Sequence, residues 1–340
     1  MKKIRVEDAI GHILPHDMTK IVKGEFKGPA FKKGHIIKEE DIPKLLDMGK
    51  EHIYVIEKDE NKIHEVEAAK ILGDICLGDN MYLTDVSEGK IGVKAAIDGF
   101  FQVDKDRLFN LNMIDEVAIS TRMGNLPVNK DDTLAGARVI PLLIDRDRMQ
   151  KAKELWNNRP ILSLKPFIEK KVGVITTGSE VFHKRIKDQF TPVVIKKIEQ
   201  YNSDVVFHKI CDDDLDQIKS GILEAIDFGC DFIICTGGMS VDPDDMTPGA
   251  IKESGAKIIS YGSPMLPGSM FLVSYLNNIP ILGLPGCVMY MKTTVFDVIL
   301  PYIFSDTEVT KEIIASLGYG GYCLNCETCH YPNCQYGKGI

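Results

Sequence analysis

From Lys170 to Phe304 short apolar runs that end in glycine turns alternate with longer amphipathic stretches. This alternation narrows the possible folds more than any other feature of the chain. KKVGVITTG reads as a buried strand closed by a Thr-Gly turn, and TPVVIKKIEQYN as a helix with Pro192 in its first turn. DVVFHKI is a second strand. DDDLDQIKSGILEAIDFG is an amphipathic helix opened by aspartates, with Gly229 just past its end. CDFIICTGG is a third strand, AKIIS, MFLVSYL and IPILGLPG are further apolar β-rich runs, and a long helix is expected from about Val288 to Phe304. Strands alternating with helices predict an α/β fold: a three-layer α/β/α domain on a mostly parallel sheet over residues 169–306.

Residues 1–168 are less regular and read as a mixed α+β region of one or two subdomains. One helix is expected after Asp41, with Pro43 in its first turn, and a second in NKIHEVEAAKILGDIC. The stretch from Met81 to Leu143 mixes helix and strand signals and gives no topology. NNRP and LKP break the pattern near the boundary. Residues 307–340 form a cysteine-rich tail, entered through GYGGY, which reads as a hinge.

A chain of 340 residues exceeds one ordinary core, and 44% hydrophobic with 26% charged residues is a globular balance. The net charge of -8 argues against a nucleic-acid partner, since binding phosphates along a duplex needs a clustered positive field. No run approaches a membrane span, and MKKIRVEDAIGHILP lacks the apolar core of a signal peptide. Cys76, Cys211, Cys230, Cys235 and Cys287 have no regular spacing, so a reducing cytoplasm with buried thiols is expected.

Three glycine turns fall at predicted carboxyl ends of strands: Thr176-Thr177-Gly178-Ser179-Glu180, Thr236-Gly237-Gly238-Met239-Ser240 and Leu284-Pro285-Gly286-Cys287. In an open parallel sheet those ends meet at one crevice. Glycine lets backbone amides approach a ligand, and the threonine and serine hydroxyls suit a phosphate or other oxyanion. Strand-to-helix turns also use glycine for their own geometry. Asp242, Asp244 and Asp245 follow the second turn. Carboxylates beside bound phosphates commonly hold Mg2+, whereas Thr247 as N-cap and Pro248 after it serve the next helix.

The tail packs Cys323, Cys326, Cys329 and Cys334 into twelve residues beside His330. C-x2-C-x2-C-x4-C has one residue more than a ferredoxin-type run before its last cysteine. An iron–sulfur cluster and a tetrahedral Zn2+ site, with His330 as an alternate ligand, both remain open.

TGGMSVDPDDMTPGAI, MLPGSMF and GLPGC, taken with ITTGSEV and CDDDLDQI, resemble the molybdopterin-binding domain of molybdenum-cofactor biosynthesis proteins. That family includes molybdotransferases and adenylyltransferases, and the likeness spans about residues 170–305. It implies a small pterin ligand, molybdopterin or its adenylylated form, with molybdate as the oxyanion and Mg2+ present. The implied pterin and oxyanion contacts are the residues of the three turns named above other than Met239 and Leu284, together with Pro267, Gly268 and Ser269. Asp242 and Asp245 would carry the metal and the catalysis. Where the molybdotransferases place a lysine in a PGKP segment, this chain has Pro267-Gly268-Ser269-Met270. Cys287 replaces the family's asparagine, as a small filler or a soft ligand. AAIDGFF resembles a motif of the molybdotransferases' amino-terminal region, which implies a homodimer with Asp98 reaching the partner's site. The resemblance thus implies molybdate insertion. A carrier that hands cofactor to a molybdoenzyme, and an adenylyltransferase, are the alternatives.

Overall fold

The computed structural model describes residues 2–22, 26–55, 60–240 and 242–338. Val241, inside the aspartate-rich turn, and the last two residues of the tail lie outside the described residues. The chain divides into two compact units, the first made of residues 1–96, 103–122 and 131–163, the second of residues 97–102, 123–130 and 164–340.

In the first unit residues 2–55 have a core of their own around Val6, Leu14, Ile37, Leu45 and Ile53. Strand Lys2–Arg5 pairs antiparallel with His52–Val55, and Met18–Val22 with Phe26–Phe31. A short helix, Ile42–Asp47, has Pro43 in its first turn, as the sequence leads one to expect. Asp41 turns its carboxylate to His35 Nε2 (2.6 Å) and the Lys38 amide (3.1 Å) rather than capping that helix. The stretch that gave no topology is a four-stranded antiparallel sheet, ordered 81–83, 90–95, 133–139, 117–121, with helix Glu65–Cys76 packed against it. Its strands are three to seven residues long, and the longest pairing carries a bulge at Thr133/Ala135. Such short, bulged strands leave little periodicity to read.

The second unit is built on a six-stranded sheet. Its elements in chain order are β1 (Lys171–Thr177), α1 (Thr191–Glu199), β2 (Asp204–Cys211), α2 (Leu215–Asp227), β3 (Phe232–Thr236), α3 (Thr247–Glu253), β4 (Lys257–Tyr261), β5 (Leu272–Leu276), β6 (Ile279–Leu284) and α4 (Val295–Phe304). The strand order is β2-β1-β3-β6-β5-β4. The first four strands are parallel, and β5 and β4 complete the edge antiparallel. Alternation along each strand builds two cores. Val172, Val174, Phe232 and Ile234 point to α1 and α4, and Ile175, Ile233 and Cys235 to α2 and α3. The expected three-layer α/β/α arrangement is therefore present. The antiparallel pair Gly99–Val103 with Leu126–Val128 joins this unit through Phe100, whose ring lies 4.6 Å from that of Tyr302.

The expected long helix from Val288 is corrected. Gly286–Met289 is a 3-10 turn, and α4 starts only at Val295. Thr294 and Asp297 form a capping box there, which satisfies the first amides and fixes the start. The tail folds back onto the core of this unit: Tyr336 is 2% exposed, and Cys323, Tyr331 and Cys334 pack beside it. Among the described residues no helix is long and apolar enough to cross a membrane.

Candidate functional site

Register places the three glycine turns at one edge. Thr176 is paired with Thr236 and Thr236 with Leu284, so β1, β3 and β6 end side by side. A cavity of about 290 Å3 opens there. Thr176, Thr177, Thr236 and Gly237 line it, with Val181, Ile186, Lys187, Asp188, Gln189, Phe190 and Met289.

One feature of this lining points to a ligand. Thr236 is 1% exposed, and its hydroxyl has no hydrogen-bond partner among the described residues. A buried hydroxyl without a partner costs roughly 1–3 kcal/mol. Most of the other hydroxyls are engaged. Thr177 Oγ1 donates to the Thr236 carbonyl (3.1 Å) and meets Thr247 Oγ1 (3.2 Å), which in turn donates to the Gly237 carbonyl (2.9 Å). Thr247, fully buried, is thus a lock between two turns rather than the N-cap expected of it. The glycines here have a steric cause. A Cβ on Gly237 would stand 2.3 Å from the Thr177 carbonyl oxygen, and both Gly237 (φ 86°) and Gly238 (φ 56°) occupy the left-handed region.

The first turn is arranged differently from the sequence expectation. Ser179 donates its amide to Asp213 (2.8 Å) and its hydroxyl to Asp212 (2.5 Å). The bond from Ser179 is the chief reason the Asp212 carboxyl titrates below its ordinary value, followed by the Asp213 amide and His183. An oxyanion at Ser179 would have to displace a carboxylate. Gly178 takes φ 139° before a four-residue helix, and Glu180 is exposed there.

In the second turn Ser240 is exposed, and its carbonyl, like that of Met239, accepts from Tyr261 Oη (3.3 and 3.0 Å). Asp242 and Asp244 are exposed and Asp245 is half-buried. Asp245 uses one carboxylate oxygen to accept the Asp242 amide at 3.2 Å. Pro267 accepts a hydrogen bond from Tyr336, Gly268 packs against Val295, and Ser269 is exposed. Pro285 is buried, and a Cβ on Gly286 would meet open space. Burial pushes the Cys287 thiol up, which disfavours a ready thiolate. Asp98 is exposed and accepts the Lys130 amide at 2.7 Å, the role of a turn aspartate.

Neither expected metal site is assembled. Among the described residues no three His, Cys, Asp or Glu side chains are gathered to hold an ion, neither at Asp242 and Asp245 nor at Cys323, Cys326, Cys329 and Cys334. At the first pair one oxygen of Asp245 accepts an amide of its own turn. In the tail the thiols stand apart on a cavity wall.

Sequence reasoning missed Asp188 and His208. Asp188 accepts the amides of Phe190 (2.8 Å) and Thr191 (3.0 Å), while His208 Nε2 lies 3.0 Å from Thr176 Oγ1 and 3.6 Å from Asp188. Burial works to raise the Asp188 carboxyl. Hydrogen bonds from Thr191 and Phe190, with His208 nearby, outweigh it and hold the group below its ordinary value. The signal was the D-x-x-T-P wording before α1, a local helix-start pattern. The first unit has a separate cavity of about 710 Å3, lined by His16, Asp17, Lys33, Glu65 and Arg138 among others.

Part of the chain is similar to known proteins. Residues 173–305 match a family described as a probable molybdopterin binding domain, and residues 3–57 match a domain of unknown function. The molybdopterin molybdenumtransferase of Bacillus subtilis is 28% identical over 152 residues, 40% of this chain and 34% of that protein. The molybdopterin adenylyltransferase of Pyrococcus furiosus is 30% identical over 105 residues, 31% of this chain and 62% of that protein. This chain therefore spans less than two thirds of either relative. The tungsten cofactor synthesizing protein MoaB of Pyrococcus furiosus has a solved structure that aligns over 40% of this chain and 93% of its own, at 23% identity and a TM-score of 0.35. Over residues 173–305 the chain is similar to the molybdopterin-binding domain family.

Proposed function

We propose that the second unit binds nucleotide-activated molybdopterin at the ends of β1, β3 and β6 and supports molybdate insertion with release of AMP. The observation that carries this reading is the unpartnered Thr236 hydroxyl beside Gly237 on the cavity wall. A phosphate or oxyanion oxygen would supply the missing partner. Gly237 and Gly238 leave room for backbone approach, and Lys187 brings an ammonium to the lining. The relatives are named as a molybdenumtransferase and an adenylyltransferase, both of which act on molybdopterin by name.

Asp242 and Asp245 are the carboxylates this reading assigns to Mg2+. One or two carboxylates suffice for that ion when phosphate oxygens and water supply the rest. The ion would offset charge on the leaving phosphate. The chain's own residues would hold the pterin and fix the oxyanion, so the rate gain is one of positioning and charge. This reading also takes the functional form as a homodimer.

The test is incubation of the purified chain with adenylylated molybdopterin, molybdate and Mg2+. Molybdate-dependent AMP release is expected, and Asp245→Asn is expected to slow it. Release from Asp245→Asn at the parent rate removes Asp245 from the mechanism. Tight binding without AMP release would replace insertion by the second reading, a cofactor carrier. That alternative draws on the Pro267-Gly268-Ser269-Met270 segment, which has no cation where the molybdotransferases have a lysine.

A further inference from the structure

All four tail cysteines and His330 line a single cavity of about 170 Å3. The segment that carries them is anchored by contacts in which no thiol takes part. Tyr336 Oη donates to the Pro267 carbonyl at 2.7 Å, Tyr331 Oη to the Asp297 carbonyl at 3.2 Å, and Lys292 Nζ to the Glu327 carbonyl at 2.9 Å. The backbone adds a bridge: the Leu266 amide donates to Gly321 (2.9 Å) and the Cys323 amide to Leu266 (2.8 Å). These contacts hold the frame without using any of the thiols, and a frame so held lowers the entropy cost of binding a ligand.

A second observation concerns the sulfur atoms. In Cys323-Leu324-Asn325-Cys326 the chain turns at Asn325, whose φ of 51° is left-handed. The turn aims the Asn325 amide at Cys323 Sγ, 3.4 Å away. Thr293 Oγ1 stands 3.2 Å from Cys329 Sγ. Both contacts orient a sulfur at the cavity, and the thiolate is the form that binds metal. Cys323 and Cys334 are packed against the core, while Cys326 and Cys329 are exposed on a stretch without helix or strand. Two thiols are therefore held against the core and two are exposed.

We propose that this cavity is a mononuclear site for a soft, thiophilic divalent cation of the Zn2+ class, bound by Cys323, Cys326, Cys329 and Cys334. Four sulfur ligands fit a tetrahedral d10 ion and disfavour hard cations. Each ligating thiol gives up its proton as its metal–sulfur bond forms, and no electron is exchanged. The fit requires the two exposed thiols to close on the fixed pair, since no three ligands are yet gathered. The site adjoins the candidate crevice. Met289 lines the crevice, and the next four residues, Tyr290 to Thr293, line the cysteine cavity. Occupancy would stiffen the segment shared by both, whatever the crevice binds.

The test uses the full chain, reduced, stripped with a chelator, and titrated with Co2+ under argon. One Co2+ per chain is expected, with an intense thiolate-to-cobalt charge-transfer band and the visible bands of tetrahedral cobalt, all bleached by Zn2+. Cys326→Ser and Cys329→Ser should lose these bands, and Cys76→Ser should keep them. Zn2+ should raise the melting temperature of the parent and not of the two tail variants, a readout that also shows whether those variants fold. Absence of the tetrahedral signature, or its survival in both tail variants, would overturn the site. Stoichiometric iron and sulfide in the anaerobically purified chain would replace the single ion by a cluster. Failure of AMP release would leave this result unaffected.

Discussion

Replacing Thr236 by valine separates a ligand-binding hydroxyl from a structural one, because the two roles predict opposite signs. The residue is 1% exposed, and its hydroxyl has no partner among the described residues. Desolvation without a hydrogen bond costs roughly 1–3 kcal/mol, and valine fills the same space with a methyl group that has no such cost. Thr236→Val should therefore stabilise the ligand-free second unit by about 1 kcal/mol or more. For a unit of this size that corresponds to roughly 2–4 °C in melting temperature per kcal/mol. The bond from Thr177 Oγ1 goes to the Thr236 carbonyl and survives the change. Affinity should move the other way. A hydrogen bond to a charged oxygen contributes about 1.5–3 kcal/mol, so adenylylated molybdopterin should bind roughly 10- to 150-fold more weakly. Urea denaturation and titration calorimetry on the same preparations give both numbers. A variant that is less stable than the parent and binds with unchanged affinity would refute the reasoning.

Three further outcomes follow from the geometry. Gly237→Ala puts a Cβ 2.3 Å from the Thr177 carbonyl oxygen at a left-handed position, so a loss of roughly 2–4 kcal/mol is expected; a urea midpoint equal to the parent's would contradict the steric account. Lys197, 8% exposed, is paired with Asp297 across α1 and α4; Lys197→Met strands a partly buried carboxylate and should cost about 3–5 kcal/mol, which thermal unfolding measures. Asp188 titrates below its ordinary value in the folded chain, so its contribution is present above the unfolded carboxyl's pKa near 3.8 and is lost as pH falls through the lower folded value. Asp188→Asn should therefore flatten the acid limb of a urea-midpoint profile between about pH 2 and 5, and an unchanged slope would contradict that.

The second unit was legible because its central strands are buried on both faces and helices such as α2 on one. VGVIT and FIICT are continuous apolar runs, as buried parallel strands must be. Asp214 accepts the Gln217 amide at the start of α2, and Gly229 follows its end with φ 94°, so the boundary signals were local as well. The start of α4 was missed because the signal lay in Thr294 and Asp297, while the apolar wording of CVMY upstream belongs to a 3-10 turn. The first unit was illegible for a different reason. Its register depends on short antiparallel pairings, several of them with partners distant in sequence.

In the site, Thr176, Thr177, Thr236 and Gly237 could be read because a threonine-glycine turn after a buried strand lies at the sheet's edge. The meeting of Asp188 with His208 could not. They reach Thr176 from a loop and from the edge strand β2, a convergence that exists only after folding. The tail was misread as lying beyond a hinge, since nothing local in GYGGY announces that Tyr336 will bury itself against Pro267, 69 residues away in sequence.

Amide hydrogen exchange of the full chain with and without adenylylated molybdopterin tests the central claim most directly. Slowed exchange confined to the turns after β1, β3 and β6, centred on Gly237 and Gly238 and extending to Met289, is the predicted result. Protection that maps instead to the cavity around His16 and Lys33, or no protection at all, would contradict it.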